Sequence, residues 1–279
     1  MISQQNGLRA THSRGHMDRL RLPPELTAKL KTDGRLPAKN RAWLEEREKQ
    51  LVANWNQEVR DNKTRREREK WLKASVWSGQ RPISFKFDRW NPDLQDNRKL
   101  ASDVGNRAWT IAKRIIVGEE FNVCLTGEPG TGKTSLALAI ADKVWAEADK
   151  PYLFISTMRL VGMFSERFDD PTVGDRLNQL QGLAKQAPVL IIDDFGTEAG
   201  MKEQGYYKPV RKDMQEWLYA VADARYDEWA NAHRGSTIVT TNNTSGDLVQ
   251  MYNPKLISRL ITKRKDNVID FDGLEDMRG

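Results

Sequence analysis

The strongest chemical signal in the chain is the run Gly127-Glu128-Pro129-Gly130-Thr131-Gly132-Lys133-Thr134, followed by Ser135. Glycines at 127, 130 and 132 let a backbone curl until its N–H groups point inward. Together with the positive end of a following helix they make a cradle for phosphate oxygens. Lys133 is spaced to reach the terminal phosphates, and the Thr134 hydroxyl to touch a magnesium ion beside them. The run lies directly after an apolar segment, Phe121 to Thr126, and directly before a helical pattern at 133–148. That context separates a phosphate loop from a chance glycine turn.

A second segment, Val189-Leu-Ile-Ile-Asp-Asp194, is an apolar strand ending in two carboxylates. Asp193 at the strand end is placed to hold hydrated magnesium, and Asp194 to orient and activate an attacking water; a helix cap or loop feature is the plainer alternative. A third, Ser236-Thr-Ile-Val-Thr-Thr-Asn242, delivers Asn242 toward a γ-phosphate or the lytic water, unless Asn242-Asn243 is simply a turn. In Lys255-Leu-Ile-Ser-Arg-Leu-Ile261 a base is embedded in an apolar stripe. Arg259 could serve a neighbouring copy's γ-phosphate, or it could be a surface arginine lying along its helix.

These groups need a scaffold, and the pattern around them alternates strand and helix. Strands are expected at Phe121–Thr126, Tyr152–Ser156, Val189–Asp193, Ser236–Thr241 and Val268–Phe271, with helices near 133–148, 157–168, 174–186 and 209–231. Near-continuous apolar strands between amphipathic helices predict an α/β fold with a parallel five-stranded sheet covered by helices on both faces. Asn91 and Pro92 read as the cap and first position of a helix whose core face is Leu100, Val104, Ala108, Ile111 and Ile115. Residues 79–92, with Gly79, Pro82 and Pro92, read as a linker; Ile83, Phe85 and Phe87 alternate with polar residues as a short extended piece. Residues 93–279 form the main domain.

Residues 1–78 read as a basic, all-helical arm. From Ala38 to Lys73 there is no Gly or Pro, which predicts one long helix or two broken near Asp61 and Asn62. Leu44, Leu51, Val52, Trp55 and Val59 form its apolar stripe, with Trp43 and Trp55 as large anchors. Such a stripe must pack on the rest of the arm, on a second copy or on a partner. Residues 1–80 hold 18 Lys or Arg against 10 Asp or Glu, so the net charge of +6 originates in the arm. Either this keeps a helix in water, or it attracts a nucleic-acid backbone or an acidic partner. The single cysteine, Cys124, excludes an internal disulfide and a multi-cysteine zinc site, and reads as a buried, idle strand residue. No apolar run is long enough to span a membrane and no secretory signal is apparent, which predicts a cytoplasmic protein with no membrane partner.

The order of these segments, with Phe85-Lys-Phe-Asp-Arg-Trp-Asn-Pro92 ahead of the first core helix, resembles the helicase-loader branch of AAA+ ATPases, the DnaC and DnaI type. The likeness covers roughly residues 83 to 279. Its more specific marks are Thr241-Asn242, Ser258-Arg259-Leu260 and the ending Phe271-Asp-Gly-Leu-Glu-Asp-Met-Arg278. By this resemblance Asn242 corresponds to sensor 1, Arg259 to an arginine finger acting in trans, and Arg278 to the second sensor. It implies an ATPase binding ATP and Mg2+, an arm that grips a replicative DNA helicase, contact with single-stranded DNA, and self-association. Only a short stretch follows Asn242, so no separate C-terminal lid is expected. The transposition helpers of the IstB type share the same core, and core motifs do not separate the two. A small-molecule phosphotransferase would need neither Asn242 nor a trans-acting Arg259. Asp194 stands where glutamate is commonest, which suggests slow, switch-like hydrolysis. The loop 196–209, with Tyr206 and Tyr207, has no assigned role.

Overall fold

A computed structural model describes residues 38–79, 81–200, 202 and 205–278; the expectations for 1–37 and for the side chains of Trp43 and Leu44 lie outside the described residues. The chain divides into two compact units, Met1–Thr64 and Arg65–Gly279. Helix α1 (Ala38–Ala74) runs unbroken through Asp61 and Asn62. In the first unit Val52, Trp55 and Val59 are exposed and Leu51 is half-buried.

The larger unit is built on strands β1 (Asn122–Thr126), β2 (Tyr152–Ser156) and β3 (Val189–Asp193). After a small hairpin, β4 (Tyr226–Asp227) and β5 (Ala232–His233), come β6 (Ser236–Thr241) and β7 (Val268–Asp270). Five of them form one parallel sheet in the order β2-β3-β6-β1-β7. β2, β3 and β6 are buried along their whole length, as strands covered on both faces must be. The covering helices are α2 (Arg98–Ile116), α3 (Lys133–Ala148), α4 (Thr157–Glu166), α5 (Pro171–Gln186), α6 (Lys212–Ala224), α7 (Ser245–Met251) and α8 (Pro254–Leu260). The outer edge of β2 is closed by Val76: its N–H donates to Phe154 O at 2.7 Å and its carbonyl accepts from Ser156 at 2.8 Å. Trp77 stacks on Phe154 with ring centres 4.2 Å apart. Among the described residues no helix is long and apolar enough to cross a membrane.

Two local expectations are corrected. Asn91 caps only the 3-10 turn Pro92–Leu94, and α2 begins after Asn97, whose side chain accepts from Leu100 N–H. The chain cannot run helically through Gln95. That residue is extended, and its side-chain amide pairs with the backbone of Glu275, Nε2 to the carbonyl at 3.2 Å and the N–H to Oε1 at 2.7 Å. The helix expected over 209–231 stops at Ala224, because Arg225 turns into the core and the next residues form the β4–β5 hairpin. Two short helices, α7 and α8, follow β6; Thr244 with Asp247 makes a capping box for the first, and Asn253 caps the second.

Candidate functional site

β1 ends at Thr126 and the chain enters its glycine turn with Gly127, Gly130 and Gly132 at φ 135°, 80° and 96°. An L side chain is strained at such angles. Space forbids one as well: a Cβ on Gly127 would lie 2.9 Å from Phe271 Cβ, and one on Gly132 would lie 2.8 Å from the Trp90 ring. Lys133 opens α3 and is buried at 5% exposure. Its Nζ donates to Gly127 O at 2.7 Å and Glu128 O at 2.6 Å, holding the loop curled. Thr131 Oγ1 adds a bond to Glu128 O at 2.8 Å. Burial lowers the Lys133 pKa, while the charge of Asp194 works the other way. Glu128 and Pro129 are exposed at the turn, and Ser135 is half-buried behind Thr134.

α3 turns Thr134 toward the end of β3, where its hydroxyl donates to Asp193 Oδ1 at 2.8 Å. Thr240 on β6 donates to the same oxygen, also at 2.8 Å. Burial, and then the charge of Asp194, push the Asp193 carboxyl up to about 6, against the pull of the Thr240 and Thr134 hydroxyls and Lys133. A carboxylate and a hydroxyl in contact beside an ammonium group are hard oxygen donors. They fit magnesium, which binds through one or two carboxylates while keeping several waters. Asp193 and Thr134 could hold it.

Asp194 takes the left-handed conformation, φ 56°. Its N–H donates to Thr240 Oγ1 at 2.9 Å and its carbonyl accepts from Thr157 Oγ1 at 2.8 Å. The backbone is therefore clamped while the carboxylate stays partly open, near enough to Lys133 to act on its charge. Asn242 follows Thr241, which pairs with Thr126 across β6 and β1, so it is exposed beside the glycine turn. The carboxyl ends of β1, β3 and β6 thus bring together Lys133, Thr134, Asp193, Asp194 and Asn242.

The C-terminal segment lies on the same turn. Met277 N–H donates to Gly130 O at 3.2 Å, a Cβ on Gly130 would overlap the Asp276 carboxylate, and the charge of Arg278 is felt at Lys133. Arg259 is elsewhere. Asn122 Nδ2, at the amino end of β1, donates to Arg259 O at 2.6 Å and Leu260 O at 3.0 Å. The Arg259 guanidinium pairs with Glu228 at 2.7 Å and Asp223 at 3.0 Å, between the rings of Tyr219 and Tyr226.

Sequence reasoning missed two groups. Thr240 is fully buried and joins both aspartates; its signal was a hydroxyl in a strand buried along its whole length, which must find partners. Glu198 receives hydrogen bonds from Tyr252 Oη and, at 2.9 Å, from Gly196 N–H, and burial raises its pKa. Phe195 stacks on Tyr252 at 4.3 Å, so the turn after Asp194 is tied to the residue just ahead of α8. Cys124 is buried in β1, with its thiol pushed up to about 11 by burial, and takes no part.

Known proteins share this arrangement to different degrees. The ATP-binding protein of insertion sequence IS21 from Pseudomonas aeruginosa is 27% identical over 154 residues, 55% of this chain and 50% of that protein. A 26S proteasome regulatory subunit homologue from Methanothermobacter thermautotrophicus is 29% identical over 154 residues, 54% of this chain and 35% of that protein. The chain therefore spans half or less of the length of these relatives. Among solved structures, that of the DnaC helicase loader is similar with a TM-score of 0.45 and 20% identity, over 66% of this chain and 97% of that one. At these values the likeness carries no argument about function. The family model for the ATPase family associated with various cellular activities matches residues 123–267. That span is more than half of the chain and reaches from β1 to the turn before β7, so the protein belongs to the AAA family of ATPases.

Proposed function

We propose that the protein is an ATP-dependent loader of a replicative DNA helicase. In this reading copies of the chain assemble on single-stranded DNA when each binds ATP, and the arm, residues 1–78, grips the helicase. The observation that supports its dependence on assembly is the separation of Arg259 from the glycine turn. They lie at opposite ends of β1, whose five residues span about 13 Å at ~3.3 Å per step. This placement supports a role for Arg259 at the phosphate of a neighbouring copy, so that turnover depends on assembly.

Within each copy, the amides of Gly127 to Thr134 cradle the phosphates, and Lys133 exchanges its two loop carbonyls for phosphate oxygens. Asp193 and Thr134 would hold magnesium, which would supply charge neutralisation at the phosphates. Asp194 orients the attacking water and accepts its proton, with Asn242 hydrogen-bonded to that water or to the γ-phosphate. Arg259 of the next copy offsets the charge that develops in the transition state. Arg278 adds a contact near the phosphates. Asp194 is one methylene shorter than glutamate, which suits slow hydrolysis that ends a state rather than driving continuous work.

The relative from insertion sequence IS21 favours a second reading, a transposition helper that binds duplex DNA and a transposase. The two part on their protein partner. Affinity capture with the full chain from its source cell, in Mg·ATP, should retain a replicative helicase and lose it in the Lys133→Ala variant. Retention of a transposase with no helicase would replace the loader by the helper.

A further inference from the structure

The amino ends of the strands carry a feature that the ATPase reading does not use. Trp229, at the tip of the β4–β5 hairpin, is 101% exposed, the most open large apolar side chain described. It is not on a slack loop. Asp227 Oδ1 accepts the N–H groups of Trp229 and Ala230, both at 3.0 Å, and Arg234 pairs with Asp227 at 2.8 Å. Asn231 supplies the left-handed residue of the turn at φ 48°, and Tyr226 packs edge-on against His233 at 5.5 Å. The base is fixed by buried Arg225, which donates to Ala184 O, Ala187 O, Ser236 O and Thr237 Oγ1 at 3.1, 2.6, 2.9 and 3.0 Å. A rigid mount for a fully solvated indole has no role in holding the fold.

At the same end of the sheet, just ahead of β7, lies a basic run. Lys263, Arg264 and Lys265 are exposed, and none of them pairs with a carboxylate among the described residues. Arg107 adds its charge by donating to Lys265 O at 2.8 Å, and the charge of Arg264 reaches His233 on the hairpin. Asp266 and Glu120 offset part of this charge. The hairpin's own acids are already engaged, Asp227 with Arg234 and Glu228 with Arg259. Unpaired cations at the same end of the sheet as a projecting aromatic ring suit a phosphate backbone with accessible base faces. A base within a duplex is stacked on both sides and offers no face to Trp229.

We propose that the β4–β5 hairpin and the run Lys263–Lys265 form a binding face for single-stranded nucleic acid, one base stacking on Trp229 while the cations follow the phosphates. This rests on the reading of the protein as a DNA-acting ATPase and assigns the residues of contact. Because Glu228, next to Trp229, also pairs with Arg259, a strand on this face would touch the hairpin that holds the side chain of that arginine.

The test uses the full chain and fluorescence anisotropy with labelled oligo(dT) and with a blunt duplex. Trp229→Ala should weaken oligo(dT) binding by about 5- to 150-fold, and Trp229→Phe should restore most of it. Neutralising Lys263, Arg264 and Lys265 to alanine together should flatten the salt dependence, lowering the slope of log K against log[salt] by about 2. Basal ATPase without DNA and nucleotide affinity should be unchanged in these variants. Normal oligo(dT) binding by both variants would overturn the face while leaving a DNA-acting ATPase intact. An equal loss on oligo(dT) and duplex would overturn base stacking. A loss of self-association in place of DNA binding would make the hairpin a contact between copies instead. No single-strand binding by the unmodified protein, with or without ATP, would sink both this face and the loader reading.

Discussion

Thr240→Val removes one hydroxyl and almost nothing else, since valine has the same shape. That hydroxyl donates to Asp193 Oδ1 at 2.8 Å and accepts the Asp194 N–H at 2.9 Å. A hydrogen bond to a charged group contributes about 1.5–3 kcal/mol, and a buried N–H left without a partner costs about 1–3 kcal/mol. The substitution should therefore destabilise the nucleotide-free protein by about 2.5–6 kcal/mol. It should also raise the Asp193 pKa further, because Thr240 is one of the groups holding it down. Loss of a partner that orients a metal-holding carboxylate costs about 10- to 100-fold in metal affinity or turnover. The glycine turn is untouched, so ATP affinity in EDTA should stay near that of the unmodified protein. Urea unfolding in EDTA gives the first quantity, and ATPase rate against magnesium concentration the second. Thr240→Ser keeps the hydroxyl and should recover most of both. Unchanged stability together with an unchanged magnesium dependence in the Thr240→Val variant would refute the clamp.

Asp193→Asn imitates the protonated carboxyl. Burial lifts the folded-state pKa from 3.8 to about 6, so the stability this group contributes is complete below about pH 4 and is lost as pH rises through 6. The difference corresponds to about 3 kcal/mol at neutral pH. In EDTA at pH 7.5 the Asp193→Asn variant should be the more stable by up to that amount, and by only about 1 kcal/mol at pH 4.5, in urea unfolding at both pH values; it should gain less stability from Mg·ATP than the unmodified protein does. Gly130→Ala introduces a methyl group against the Asp276 carboxylate at a left-handed residue with φ 80°. It should cost about 1–2 kcal/mol from the backbone alone, plus a steric part that a second change, Asp276→Ala, relieves. Thermal melts of the single and double variants separate the two parts, and equal melting of both would show that the C-terminal segment does not press on the turn.

The glycine turn and the helix that follows it were legible because their signals are local. A strand, three glycines, Lys133 and Thr134 are contiguous, and each glycine is required by its own backbone angle. Asp193 was readable because an unbroken apolar strand ended on it. Thr240 was not, because its partners lie 46 and 47 residues away in sequence and meet it only when β6 pairs with β3. The same holds for Glu198 with Tyr252, and for Gln95, whose pairing with Glu275 across 180 residues overrides the helix signal of Asn91 and Pro92. The helix expected over 209–231 shows tertiary structure overriding propensity in the same way. Nothing local announces that Arg225 will be drawn inward by four oxygen acceptors and that the chain will then reverse as a hairpin.

The central claim is that phosphate, metal and water are handled by Lys133, Asp193 and Asp194 of one copy and completed by Arg259 of the next. Mixing two inactive variants tests it. Lys133→Ala cannot use its own site but still offers Arg259, and Arg259→Ala keeps an intact site that lacks a donor. ATPase activity should appear on mixing and peak at intermediate ratios. No recovery at any ratio, or full activity in the Arg259→Ala variant alone, would contradict the account.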